Sequence, residues 1–414
     1  EIKTLNEASA LWTRPAKEIK EEQYQEFFSH IGAGFGKPLL TMHNNTEGTI
    51  SYTNLICIPS TRPFDLFNPD RKSSLKLYIN RVFITDKCDA LIPSYLRFIK
   101  GLVDTQDIDL NVSREMLQNN PAVAKISKSL VGKILRELKK VSEKNADGYK
   151  SFWKEYGAVL KEGLYEDAER KEALLDLCRF STNENDDPIS LSEYVEKMPE
   201  KQKDIYYISA ETKDQALASP HLEGFKSKKI PVLIMTDAID QFWLPMVGSF
   251  KEKKFTSITQ GQINLDDLDE KNKDKKKDDK NEKEKKDKEY VDLVAQLKVV
   301  LGDQVKDIRL SSKLTDSPVC LVADEGDMDI AMEQLMAQRD TNYKGAPRIL
   351  EINGDHSLIK NMKSLLSKKE NNDLVSDAGT LLFEQARLME GKMPADPAQF
   401  SKIMNQFLLK AIPN

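Results

Sequence analysis

Two periods organise the apolar positions of this chain. Residues 49–59 place Ile50, Tyr52, Ile56 and Ile58 on one side of an extended segment, and residues 75–84 do the same with Leu75, Leu77, Ile79 and Phe83. Alternation of this kind predicts half-buried strands. Asn120-Pro121 then reads as a helix start, because Asn caps free N–H groups and Pro tolerates the first helical position. Behind it Val123, Ile126, Leu130, Ile134 and Leu138 recur at helical spacing. Residues 204–210 and 230–236 are short apolar runs with a helical stretch around Ala216 between them. This is a strand–helix–strand unit, which favours a parallel pair. Residues 239–247 predict a further short helix.

The second half alternates in the same way. Residues 290–301 read as helix, 305–310 and 319–323 as strands, 328–337 as helix and 348–352 as a third strand. The end is helical. Leu374, Ala378, Leu381, Leu382, Ala386 and Met389 form one stripe, which Gly391 stops. Asp396-Pro397 opens a last helix carrying Phe400, Ile403, Met404, Phe407 and Leu408. Such a pair of helices can bury its stripe within the chain or against a second copy.

Composition sharpens this picture in a few places. A chain of 414 residues exceeds one ordinary core, so two or three domains are expected. No stretch reaches the roughly 20 apolar residues of a membrane-spanning helix. The first residues, Glu1-Ile-Lys-Thr, carry neither an initiator Met nor a leader pattern, and are expected to lie inside a longer product. A net charge of −5 is small for this length and argues against general nucleic-acid affinity. Cys57, Cys88, Cys178 and Cys320 are scattered and read as reduced thiols rather than metal ligands. One break is sharp: from Asp266 to Glu289 every residue but Leu268, Asn272 and Asn281 is charged. It marks a boundary, either a mobile connection or in part a solvated helix with Glu/Lys pairs.

Candidate chemistry is sparse. Gly32-Ala-Gly34-Phe-Gly36-Lys37 fits neither the Walker nor the dinucleotide spacing, and Pro38 stands where Ser or Thr should be. No hydrolase elbow, zinc-helix or kinase signature occurs. The polar segment 104–118 is more suggestive, because an arginine presented from it could reach a nucleotide bound elsewhere. The alternative is a Ser113 cap with Arg114 in an ordinary ion pair.

Longer strings decide between these readings. Asn111-Val-Ser-Arg-Glu-Met-Leu-Gln118 resembles the catalytic loop in the middle domain of the ninety-kilodalton heat-shock chaperones. Leu11-Trp12, Tyr24-Gln-Glu-Phe27-Phe28, Ile58-Pro-Ser-Thr-Arg-Pro63-Phe64-Asp65-Leu66-Phe67, Pro93-Ser-Tyr95-Leu96-Arg97-Phe98, Ser219-Pro220-His221-Leu222 and Val305-Lys-Asp-Ile-Arg309-Leu310 are similar to the family in the same order. The resemblance covers essentially the whole chain and is nearest to the bacterial members. It implies α/β and α+β architecture: a mixed-sheet middle domain over residues 1–265, the charged linker 266–289, and a small α+β dimerisation domain over 290–414 ending in two helices.

By that resemblance the protein is an ATP-regulated molecular chaperone, a homodimeric clamp on partly folded clients in the cytoplasm, here without its nucleotide-binding domain. ATP and Mg would belong to the full-length protein, with none bound by this segment alone. Arg114 and Gln118 map onto the residues that contact the γ-phosphate. Client contacts map onto a helix with Met328, Met332, Leu335 and Met336, and onto Phe242 and Trp243. There the bacterial pattern of an acidic residue followed by Trp is replaced by Gln241-Phe242-Trp243. Leu381, Leu382, Met389, Phe400, Met404 and Phe407 map onto the dimer seam. The ending Pro413-Asn414 lacks the acidic tail that holds helical-repeat co-chaperones. The competing expectation is an ATP-independent holdase or dimeric scaffold.

Overall fold

The computed structural model describes residues 9–32, 37–68, 74–86, 88–110, 114–185, 187–265, 276–340, 343, 345–367 and 372–412. The chain divides into two compact units, Glu1–Arg179 and Phe180–Asn414.

The first unit carries helix α1 (Glu21–His30) and five strands: β1 (Leu40–Thr46), β2 (Tyr52–Ile58), β3 (Ser74–Ile79), β4 (Val82–Thr85) and β5 (Lys100–Thr105). Their order is β1-β2-β5-β3-β4, antiparallel except where β3 runs parallel to β5. The segment 75–84, expected as one strand, is in fact a hairpin. Asn80 and Arg81 take φ of 48° and 69°, the left-handed pair that a tight two-residue turn needs, and the apolar alternation simply continues across it. Gly101 sits where β5 crosses β2. A Cβ there would lie 2.3 Å from the Leu55 carbonyl oxygen.

Helices α2 (Arg114–Gln118), α3 (Pro121–Lys144), α4 (Ala146–Glu166) and α5 (Lys171–Leu177) complete this unit. Asn120 caps α3 as its sequence predicts, its side chain accepting from the N–H groups of Ala122 and Val123. Val123, Ile126, Leu130, Val131, Ile134, Leu135 and Leu138 are all buried, so the 3.6-residue period faces the core.

The second unit opens with β6 (Ser181–Thr182), α6 (Leu191–Lys197), β7 (Ile205–Ser209), α7 (Lys213–Leu217), α8 (Glu223–Ser227), β8 (Leu233–Met235), α9 (Asp240–Val247), β9 (Ser249–Phe250) and β10 (Lys253–Ser257). The sheet order is β6-β8-β7-β10-β9. β7 and β8 pair in parallel, as the strand–helix–strand pattern requires. Of the charged run, residues 266–275 lie outside the described residues. From Lys276 onward it belongs to α10 (Lys276–Leu301).

β11 (Val305–Leu310), β12 (Val319–Val322), α11 (Ile330–Arg339), β13 (Arg348–Ile352), α12 (Ser357–Leu366), α13 (Asn372–Met389) and α14 (Pro397–Ala411) follow, with strand order β11-β13-β12. Tyr290, Leu293 and Leu297 of α10 join Leu350 and Ile352 of β13 and Val375, Leu382 and Phe383 of α13 in one core. The contact of α10 with α13 is close enough that a Cβ on Gly379 would lie 2.3 Å from a Leu297 methyl. The protein is thus a mixed α/β and α+β molecule of several sheets.

Candidate functional site

Asn111, Val112 and Ser113 of the candidate catalytic loop lie outside the described residues, as does the Arg114 side chain. Arg114 is the first residue of α2. Leu117, 2% exposed, anchors this short helix, and Gln118 next to it is exposed. Ala33, Gly34, Phe35 and Gly36 also lie outside the described residues.

α11 buries a charged residue beside an apolar one. It begins at Ile330 rather than at residue 328, because the Asp329 carboxylate accepts from the Ala331 N–H and caps it there. Met328, 40% exposed, therefore precedes the helix. The buried positions of α11 are Ile330 and Glu333, while Met332, Leu335 and Met336 are half-exposed. Glu333 is ion-paired with Arg348 of β13, and both side chains are almost completely buried. Arg348 also donates to the Met328 carbonyl, 3.1 Å away. The helix is held by a buried ion pair and presents flexible, polarizable thioethers to solvent.

Trp243 and Phe242 part company. Trp243 is 0% exposed, packs against Phe180 and Phe255, and donates its indole N–H to buried Asp240 at 2.7 Å. An indole so enclosed offers no surface to a client; it is core. Phe242 is half-exposed, and Met246 one turn on is 64% exposed.

The terminal helices show a related shift. In α13 the buried set is Val375, Ala378, Gly379, Leu382, Phe383, Glu384 and Ala386. Of the expected stripe, Leu374 and Leu381 are only half-buried and Met389 is 50% exposed. In α14 only Ile403 is buried. Phe400 is half-buried, Phe407 packs against the domain core, and Met404, Leu408, Leu409 and Ile412 are exposed. An amphipathic helix whose apolar positions are mostly uncovered has a face to spare.

The two halves of the second unit are joined by polar anchors that no motif announced. The Glu223 carboxylate accepts from the N–H groups of Thr315 at 2.8 Å, Asp316 at 2.9 Å and Ser317 at 3.1 Å. Burial works to raise its pKa, but these donors and the Ser317 hydroxyl outweigh burial and hold it below the ordinary value. Buried Lys313 donates to the Ile258 carbonyl at 2.8 Å. Asp329 accepts from Thr259, and Arg309 bridges Glu351 to the Gly261 carbonyl. The anchors share no sequence period and come from residues 42–94 positions apart, so periodicity could not reveal them.

All four cysteines are buried thiols, none of them in a disulfide. Burial pushes the Cys57 thiol up to about 11 despite a hydrogen bond with Thr41, which leaves it unreactive near neutrality. Among the described residues, no group of three or more His, Cys, Asp or Glu side chains is placed to hold a metal. No described helix is long and apolar enough to cross a membrane.

The family model described as Hsp90 protein matches residues 1–413. Chaperone protein HtpG of Roseobacter denitrificans is 45% identical over 414 residues, covering 100% of this chain and 66% of that protein. Chaperone protein HtpG of Paramagnetospirillum magneticum is 46% identical over 409 residues, covering 99% of this chain and 65% of that protein. The same chaperone from Rickettsia rickettsii is 42% identical over 410 residues, covering 99% and 65%. The chain thus spans just under two thirds of the length of these relatives.

Proposed function

Because this chain belongs to the Hsp90 family of chaperones, we propose that it is the client-holding and dimer-forming part of an ATP-regulated molecular clamp. The observation that carries the reading is the family match, unbroken over residues 1–413. Residues of this chain supply three parts of the mechanism. Arg114 and Gln118, on a short helix anchored by Leu117, meet the γ-phosphate of ATP held with Mg by another segment of the whole protein. An arginine delivered this way stabilises charge on the transferring phosphoryl group and makes hydrolysis wait until the clamp closes. Met328, Met332, Leu335 and Met336, with Phe242, hold partly folded clients in the cytoplasm through adaptable apolar contacts. Residues 290–414 act as the dimerisation domain. Leu381, Phe400 and Met404 meet a second copy, and Met389 extends the seam, while Leu382 and Phe407 hold α13 and α14 in place from inside.

Light scattering across a dilution series tests the dimer directly. The chain is expected at twice its monomer mass, and Leu381→Asp at the monomer mass with its circular dichroism unchanged. A monomer at every concentration would remove the clamp and favour a monomeric holdase. In the full-length protein, Arg114→Ala is expected to lower ATP turnover by on the order of 10³-fold.

A further inference from the structure

Glu390 stands apart from the other buried carboxylates of the second unit. Glu351 is bonded to Arg309 and Ser311, Glu333 to Arg348, and Glu384 to the Ala395 N–H. Both carboxylate oxygens of Glu390 are buried without a hydrogen-bond donor among the described residues. Its nearest cation is the Lys392 ammonium, 3.5 Å away, and its side chain is 7% exposed. It directly follows α13, its own N–H bonded to the Ala386 and Arg387 carbonyls, at the negative end of the helix dipole. Burial and the dipole both oppose ionisation, so a neutral side chain of this size would be more stable here. A carboxyl placed at a cost to stability points to another use.

That use is suggested by the space beside it. Glu390 lines a cavity of about 600 Å³ bordered by α11, by Gly345, Ala346 and Pro347, and by the end of α13. Four carboxylates and three cations border this cavity, with four glutamine amides. The cations are already engaged: Arg348 by Glu333, Arg387 by Glu384 and the Met393 carbonyl, Lys392 between Glu333 and Glu390. Glu333 is taken up in the same pairs, which leaves Glu390 with Lys392 alone. Glu211 and Asp303 are exposed and add negative charge to the border.

We propose that this cavity binds a linear organic polycation, a diamine or polyamine, with one ammonium donating to Glu390 and another lying near Glu211 and Asp303. An ammonium group supplies the Glu390 carboxyl with N–H donors beyond its marginal contact with Lys392, and its charge offsets that of the bordering carboxylates. A bare metal ion does not fit, because no three ligating side chains converge among the described residues. A chain carrying several ammonium groups matches a cavity far larger than one such group. Since Glu211 belongs to the first half of the unit and Glu390 to the second, an occupied cavity ties the two halves together. Burial, the leading cause, raises the Glu390 pKa. Ligand binding therefore expels a proton wherever the carboxyl was neutral, and affinity rises with pH.

Titration calorimetry of the chain with spermidine, at low ionic strength, decides the matter. Wild type is expected to bind at one saturable site, with an affinity that rises with pH while spermidine stays fully protonated. Glu390→Gln should bind at least tenfold more weakly and lose the pH dependence, while melting at the same or a higher temperature. The pair Glu211→Gln and Asp303→Asn should weaken binding severalfold. Unchanged affinity in Glu390→Gln would overturn the proposal. So would equal competition by magnesium, which would mark spermidine as a counter-ion of the acidic surface. A lower melting temperature for Glu390→Gln would show that the carboxyl serves the fold.

Discussion

His221 is sealed between the two halves of the second unit, 6% exposed, with its Nδ1 lacking a partner among the described residues. Burial first, and then the Lys313 charge, hold its pKa well below the ordinary value, against a hydrogen bond to the Leu321 backbone. The folded protein keeps the ring neutral, whereas the unfolded chain takes up a proton below about pH 6.5. A depressed pKa therefore contributes stability that is present above pH 6.5 and is lost as pH falls. The slope is up to about 1.4 kcal/mol per pH unit. Glu390, which borders the same small cavity, acts with the opposite sign because its pKa is raised. The histidine is isolated by comparison with His221→Asn. In urea unfolding at pH 7, 6 and 5, the stability of wild type relative to this variant should decline by about 1.4 kcal/mol per unit below pH 6.5. A constant difference would mean that the ring titrates alike in both states. None of this was legible in the sequence. Ser219-Pro220-His221 resembles a family string, but a histidine looks the same in a string whether it is sealed or solvated. Glu333, Glu390 and Trp243 make the same point: burial of a charge, or enclosure of an indole, is settled by distant segments.

At the scale of elements the sequence was far more informative, and the exceptions have causes. α3 lies where Asn120-Pro121 and the apolar period put it, and β7 and β8 pair in parallel as expected. The β3–β4 hairpin was hidden because alternation runs through Asn80 and Arg81 without a glycine. α11 misleads in another way. Its methionines recur at helical spacing like a core stripe, yet the core side holds Ile330 and Glu333. That inversion makes separable demands on the two faces. Met332→Ser with Met336→Ser removes half-exposed groups and should change stability by no more than about 1 kcal/mol. Glu333→Ala strands the buried Arg348 charge and should cost about 3–5 kcal/mol. If the outer face holds clients, the double Ser variant will protect a heat-aggregating protein less well at unchanged stability. Equal protection by both proteins would release α11 from that role.

The whole molecule is divided where composition gives no sign. Its compact units separate at Arg179 and Phe180, within an ordinary mixture of residues, whereas the charged run interrupts the second unit. Contacts, rather than composition, define the body. Residues 259–261 pair with the end of β12, the Ala323 N–H donating to the Thr259 carbonyl at 2.9 Å and the Gly261 N–H to the Ala323 carbonyl at 2.8 Å. Glu223, Lys313, Arg309 and Asp329 add charged bonds across the same seam. Charge-assisted bonds of this kind contribute about 1.5–3 kcal/mol each when partly shielded from water. Together they should hold the halves of this unit without a covalent connection. A chain carrying an engineered protease site within residues 266–275, once cut, should elute as one particle in native buffer and separate only in denaturant. Adding Glu223→Lys and Lys313→Met removes two anchors and should let the cut halves part at lower urea. Separation of the wild-type halves in native buffer would show that the covalent connection, and not the seam, keeps 276–412 against 180–265.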